Sequence, residues 1–128
     1  MTELKRILYV EDEADIREVT KLALETIGGL TLEICESGQM AIDKAQDFNP
    51  DLVLLDVMMP GMDGPTTMAQ LKKMPELAAV PMVFMTAKVQ PQEIENFKSL
   101  GAIDVISKPF DPMTLADQIR NLWDSHHD

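Results

Sequence analysis

The stretch DLVLLDVMMPG, Asp51–Gly61, decides how this chain folds. Leu52–Leu55 is a continuous apolar run, without the polar alternation of a half-exposed strand. Such a strand needs cover on both faces, which is the situation of a parallel sheet packed between helices. The run ends in Asp56, and Pro60, Gly61 and Gly64 follow soon after. A carboxylate closing a buried strand is costly unless partners or chemistry keep it there.

Upstream, RILYV at 6–10 is a second short apolar run. It ends in Glu11, Asp12 and Glu13 and reads as a buried strand opening into a polar loop. From Ala14 to Ile27 the spacing turns helical, with Ile16, Val19, Leu22, Ala23 and Ile27 on one stripe. Gly28 and Gly29 stop that helix. LTLEIC at 30–35 returns to the strand period, and Ser37–Gly38 turns the chain. Met40, Ala41, Ala45 and Phe48 mark a second helix, closed by Asn49–Pro50.

Downstream, Pro65 fits the first turn of a third helix, where a missing N–H costs nothing. Its stripe is Met68, Leu71 and Met74. VPMVFM at 80–85 is the fourth strand, with Pro81 tolerable near its start. Pro91 opens a fourth helix through Leu100, stopped by Gly101. AIDVI at 102–106 is the fifth strand. Asp111 caps a last helix with Pro112 at its first position, reaching about Trp123 and leaving DSHHD as a fraying tail. Strand and helix therefore alternate five times. The expected fold is α/β, a three-layer doubly wound sandwich with right-handed crossovers and one domain over 1–128.

The chain carries 22 acidic and 11 basic residues, a formal net charge of −11. That balance argues against a nucleic-acid partner, which needs a basic footprint, and against anionic membranes. No run approaches the roughly 20 apolar residues of a membrane span. The N-terminal segment turns acidic where a signal peptide would be apolar. Cys35 is the single cysteine, so no intramolecular disulfide forms. These features together point to the cytoplasm.

In a parallel sheet the strand ends emerge on one edge, and ligands bind there where the strand order reverses. If strands one and three flank that point, Glu11, Asp12 and Asp56 converge. Three carboxylates together repel, and a hard divalent cation relieves the repulsion. Mg2+ suits the set, with oxygen ligands from Asp12 and Asp56, Glu11 through a water, and the Met58 backbone carbonyl. Lys108, after the fifth strand, supplies a mobile positive charge. Metal and lysine together suit an anion that arrives and leaves. An aspartate can attack phosphorus and form an acyl phosphate, and the transfer then needs charge stabilisation on the equatorial oxygens. Lys108 would bind one such oxygen, and the Thr86 hydroxyl and the Ala87 N–H would assist. Lys108–Pro109 also admits a cis bond.

Four blocks, ILYVEDEADIR, DLVLLDVMMPGMDG, VFMTAK and GAIDVISKPFDP, resemble the receiver domain of two-component response regulators. The resemblance runs from about Lys5 to Trp123. It implies a flavodoxin-like five-stranded parallel sheet of order 2-1-3-4-5. It implies phosphorylation on Asp56, Mg2+ held by Glu11 and Asp12, a switch hydroxyl at Thr86, and Lys108 as the family's lysine in a cis bond to Pro109. The phosphoryl group would come from a histidine kinase or a histidine phosphotransfer protein. The domain would catalyse that transfer and its own dephosphorylation without being a classified enzyme. Met58 and Lys88 occupy positions that tune phosphoryl lifetime in the family.

Two departures stand out. Val105 replaces the aromatic residue that usually swings inward, so output would rely on movement of the loop after the fourth strand and the following helix. Glu11 stands where aspartate is commoner. The resemblance places the partner face on the fourth helix, fifth strand and last helix, with Glu93, Glu95, Lys98, Asp104, Asp117 and Arg120 exposed. It implies a monomer or weak homodimer acting by protein contact. A receiver excised from a hybrid kinase or larger regulator, or a phosphate relay intermediate, is the alternative. A flavodoxin-like binding module would need a Gly-, Ser- or Thr-rich loop where VEDEAD stands. A metal-dependent phosphatase would place an acid where Met58 stands.

Overall fold

The computed structural model describes residues 3–127. Five strands form one parallel sheet: β1 (Arg6–Val10), β2 (Thr31–Cys35), β3 (Leu52–Asp56), β4 (Met82–Thr86) and β5 (Asp104–Ser107), in the order β2-β1-β3-β4-β5. The helices are α1 (Ala14–Lys21, continuing as a π-helical segment over Leu22–Ile27), α2 (Gly38–Phe48), α3 (Gly64–Lys72), α4 (Pro91–Ser99) and α5 (Leu115–His127). Every residue of β3 and β4 is buried, as a strand covered on both faces must be.

Alternation along each strand sends side chains into two cores. Leu8, Val10, Val53, Leu55 and Phe84 face α2, α3 and α4, where they meet Ala41, Ala45, Phe48, Met68, Leu71 and Phe97. Ile7, Tyr9, Leu52, Leu54, Val83 and Met85 face the other way, onto Ala23, Leu24, Leu115, Ala116, Ile119 and Trp123 of α1 and α5. Each fully buried aliphatic side chain contributes roughly 1.5–3 kcal/mol of transfer free energy.

Local signals set the boundaries. Ser37 caps α2 by accepting from the Met40 N–H at 3.2 Å, and Asp63 caps α3 by accepting from Thr66 at 2.9 Å. Asn49 ends α2 in the left-handed region, φ 54°. Gly61, at φ 76°, gives the loop after β3 a turn that a side chain would strain.

Several expectations need correction. Val19, Leu22 and Ile27 of the expected α1 stripe are exposed; Ala23 is buried as expected, and Thr20 and Leu24 are buried in place of the others. The wider π-helical turn from Leu22 shifts the phase that a period of 3.6 assumes. In the third helix, Met74 falls in the turn after α3 while still packing on the core. The fourth strand starts at Met82, because Pro81 has no N–H for the ladder. The fifth strand is 104–107 rather than 102–106. Asp111 caps a turn, accepting from the Met113 N–H at 2.9 Å, and α5 proper begins at Leu115. That helix then continues through the expected tail to His127, whose Nδ1 bonds the Trp123 carbonyl at 2.8 Å and whose ring lies 3.9 Å from the indole. Asp128 lies outside the described residues.

Candidate functional site

The sheet brings the ends of β1, β3, β4 and β5 to one edge. Val10 pairs with Leu55 and Asp56 with Met85, so the chain one step beyond Val10 runs beside Asp56. The Glu11 N–H donates to the Cys35 carbonyl at 3.0 Å, which fixes β1 against β2 up to that residue. Thr86 pairs with Ser107, and the Lys108 N–H donates to the Thr86 carbonyl at 2.9 Å. The Lys108–Pro109 bond is cis.

Glu11, Asp12 and Asp56 each offer a carboxylate oxygen, all within 4.8 Å of one another. Lys108 Nζ lies 2.8 Å from Glu11 Oε1 and 2.8 Å from Asp56 Oδ1. Glu11 is fully buried and Asp56 nearly so. Burial pushes the Glu11 carboxyl up to about 7; the Lys108 bond opposes that rise and neighbouring Asp56 adds to it. Burial works to lower the Lys108 ammonium, yet its bonds to Asp56 and Glu11 outweigh it and hold the group above its ordinary value. One lysine therefore serves two buried acids and leaves the third without compensation. Asp12 Oδ1 is buried and has no hydrogen-bond partner among the described residues. An orphaned carboxylate oxygen beside two others fits a hard divalent cation such as Mg2+, which takes oxygen ligands.

Beside the acids opens a cleft of about 220 Å³ lined by Asp56, Met58, Thr86, Ala87, Lys88 and Lys108. Thr86 is buried, and its Oγ1 accepts from the Lys88 N–H at 3.1 Å. Because that bond uses an oxygen lone pair, the hydroxyl proton stays available. The Met58 side chain is 71% exposed and stands at the rim. A second, apolar cleft of about 450 Å³ adjoins Lys108, lined by Ile16, Val19, Ala87, Pro109 and Phe110. Its presence explains why two residues of the α1 stripe do not enter the core.

The expected partner-face residues divide. Glu95, Lys98 and Asp117 are exposed, while Glu93 and Asp104 are half-buried. Arg120 departs from expectation: its guanidinium donates to the Gly28 carbonyl at 2.5 Å and ties α5 to the end of the α1 segment.

Sequence reading missed three contributors. Tyr9 and Thr20 form a buried hydroxyl pair, 2.9 Å apart, between β1 and α1. Thr20 broke the apolar periodicity of its helix, which was its signal. Arg17 donates to the Glu11 carbonyl at 2.9 Å and bridges to Glu36 at 3.2 Å. Gly64 packs against the Asp56 backbone so closely that a Cβ would lie 2.3 Å from the Asp56 carbonyl oxygen.

The family model of the response regulator receiver domain matches residues 7–120. The phosphate regulon transcriptional regulatory protein PhoB of Pseudomonas aeruginosa is 39% identical over 116 residues, covering 91% of this chain and 50% of its own length. The chain spans about half the length of the curated relatives it matches. Among solved structures, chemotaxis protein CheY4 of Vibrio cholerae superposes with a TM-score of 0.86 at 27% identity, covering 93% of this chain and 98% of that one. The signal receiver domain of a signal transduction histidine kinase from Syntrophus aciditrophicus gives 0.80 at 32% identity, covering 94% and 91%.

Proposed function

The chain belongs to the response regulator receiver domain family, and from that premise we propose that Asp56 is its phosphoacceptor, served by a phosphohistidine on a histidine kinase or phosphotransfer protein. The observation that carries this reading is the shared ammonium. Lys108 Nζ binds Asp56 and Glu11 at 2.8 Å each, while Asp12 keeps an unpaired buried oxygen. An arrangement serving stability alone would not leave a carboxylate without a partner.

The residues divide the work as follows. Asp56 Oδ1 is held by Lys108, so the other carboxylate oxygen attacks phosphorus. The new O–P bond forms as the donor's P–N bond breaks, and its electron pair leaves with the imidazole nitrogen. The Lys108 ammonium has three protons, two of them engaged with Glu11 and Asp56, and the third can meet a phosphoryl oxygen. The Thr86 hydroxyl donates to another, with the Ala87 N–H beside it. Asp12, Asp56 and the Met58 carbonyl would hold Mg2+, with Glu11 acting through a water; bound there, the ion supplies charge neutralisation for the transferring group. The apolar Met58 side chain cannot orient an attacking water, which favours a long-lived acyl phosphate.

The apolar cleft of Ile16, Val19, Pro109 and Phe110 gives a donor protein surface to bury beside the nucleophile. For output we place a partner on α4, β5 and α5. Supporting this, α4 has no buried residue, and its half-buried Phe97 rests on Phe84 with ring centroids 5.0 Å apart. Val105 pairs with Phe84 in register and packs at the same core edge. Loss of the Thr86–Lys88 bond, as Thr86 turns to the phosphoryl group, would displace the loop and α4. A buried free Cys35 thiol suits the reducing cytoplasm.

The test is intact-protein mass spectrometry after incubation with a small phosphodonor and Mg2+. The parent should gain one acid-labile phosphoryl mass and Asp56→Asn should gain none. An undiminished gain in Asp56→Asn would overturn the assignment, and full phosphorylation in excess chelator would overturn the metal.

A further inference from the structure

After Asp56 the chain turns inward at Val57 and again at Met59, and both side chains join the core that holds α2 and α3. Met58, between them, turns outward and is 71% exposed. It adds nothing to that core and instead lines the cleft of Asp56, Thr86, Lys88 and Lys108. A thioether offers so polar a cleft only a weak hydrogen-bond acceptor. Among the described residues Met113 is the other strongly exposed methionine, whereas Met59, Met68, Met82 and Met85 are buried.

An exposed thioether is open to oxidants, and its sulfoxide is polar. The chain's one thiol, Cys35, is buried and does not compete. A neutral peroxide meets no charge repulsion, whereas an anionic oxidant meets a formal net charge of −11. The sulfur lone pair attacks the terminal oxygen of the peroxide, and the O–O bond breaks. The departing oxygen takes the proton from the transferred one and leaves as water or an alcohol. Sulfur loses two electrons and the peroxide gains two. The S–O group left at position 58 is a strong acceptor, and a methionine sulfoxide reductase returns it to the thioether.

We propose that Met58 is a reversible oxidation site that sets the lifetime of the acyl phosphate: its sulfoxide oxygen, at the rim of the cleft, orients a water for attack on the phosphoryl group of Asp56. The proposal rests on the phosphoacceptor reading above. In that attack the water oxygen bonds to phosphorus, and the bond from phosphorus to the Asp56 oxygen breaks. Its electron pair returns to the carboxylate, and the water's protons pass to phosphate and solvent. The thioether cannot hold the water, so the acyl phosphate persists while Met58 is reduced. Oxidation then shortens the signal without altering Asp56, Thr86 or Lys108. One well-placed hydrogen bond corresponds to about two- to tenfold in rate.

The experiment treats the full chain with hydrogen peroxide, removes the excess with catalase, and maps sulfoxides by peptide mass spectrometry. The protein is then phosphorylated with a small phosphodonor and Mg2+, and loss of the phosphoryl mass is followed over time. A Met113→Leu background removes the other exposed sulfur, so partly oxidised protein gives both Met58 states in one intact-mass series. Met58 should oxidise while Met59, Met82 and Met85 stay reduced. The species carrying one added oxygen should lose its phosphoryl group about two- to tenfold faster than its reduced companion. Met58→Leu in the same background, whatever its own lifetime, should not respond to peroxide. Met58→Gln, which places a carbonyl acceptor on a comparable arm, should decay faster than Met58→Leu without any oxidant. A Met58 that resists peroxide doses converting Met113 in the parent overturns the proposal. So does equal or slower decay of the oxidised species, or an acceleration that persists in Met58→Leu. A protein that takes up no phosphoryl mass in either state sinks the phosphoacceptor reading, and the lifetime role falls with it.

Discussion

Replacing Gly64 with alanine should damage the acid site without touching any of its side chains. A Cβ at this position would sit 2.3 Å from the Asp56 carbonyl oxygen, 2.9 Å from Val57 Cα and 3.1 Å from the Asp56 carbonyl carbon. Ordinary contact begins at 3.4 Å, so the nearest approach is more than an ångström too close. All three atoms belong to the backbone at the end of β3, which cannot swing aside as a flexible side chain would. Either α3 lifts from the sheet or the Asp56 peptide moves. Overpacking of a tight core costs roughly 1–3 kcal/mol, and a clash with backbone that cannot swing aside belongs at the upper end, about 3 kcal/mol. With a urea m-value of about 1–3 kcal/mol/M for a small domain, the midpoint should fall by at least about 1 M. The Gly64 N–H donates to the Val57 carbonyl at 2.9 Å, so that bond should loosen as well. Urea denaturation with amide spectra of Asp56 and Val57 checks both effects. A midpoint within about 0.2 M of the parent, with those amides unmoved, would refute the packing argument.

Three further outcomes are expected. Asp12→Ala should raise stability without Mg2+, by about 1 kcal/mol, because Asp12 Oδ1 is buried, unpaired and beside two other carboxylates; a lower urea midpoint than the parent would contradict this. Stability of the metal-free protein should fall as pH rises from about 4.5 to about 7, because the folded state keeps a proton on Glu11 that the unfolded chain releases. The shift corresponds to at most about 3 kcal/mol, and Glu11→Gln should flatten the profile measured by urea midpoints across pH. Burial pushes the Cys35 thiol up to about 12 and removes it from solvent, so a thiol reagent should modify it only at the rate of unfolding.

The parts of the fold that could be read in the sequence are those where burial leaves an unbroken apolar signal. LVLLD and MVFM are buried on every residue, and short apolar runs bounded by turn residues are what a strand covered on both faces produces. The acids and the lysine were readable for the converse reason: polar groups closing apolar strands are rare enough to be informative. The stretch from Ala14 to Ile27 was less readable, because its final residues adopt a π-helical turn and part of its apolar face lines a surface cleft. No single-sequence period carries either fact. The last helix ran past Trp123 because the Trp123–His127 contact extends it, and residues chosen for polarity alone look like a tail. Tyr9 looked like core because it is core; the partner of its hydroxyl, Thr20, lies eleven residues away on another element and is visible only in three dimensions.

The acid site also gains its counter-charge last. Glu11 and Asp56 lie 45 residues apart and are made first as the chain is synthesised, whereas Lys108 follows Asp56 by 52 residues. At about 5–20 residues per second on the ribosome, the acids exist for seconds before their counter-charge. During that interval the central strands β1 and β3 can pair only by bringing bare carboxylates together. The edge strand β5 delivers the lysine, so the centre of the sheet becomes electrostatically comfortable only when its last strand docks. Truncated chains ending before Lys108 should accordingly resist closing the β1–β3 pair, and the domain should fold as one late, all-or-none event rather than strand by strand from its N-terminus.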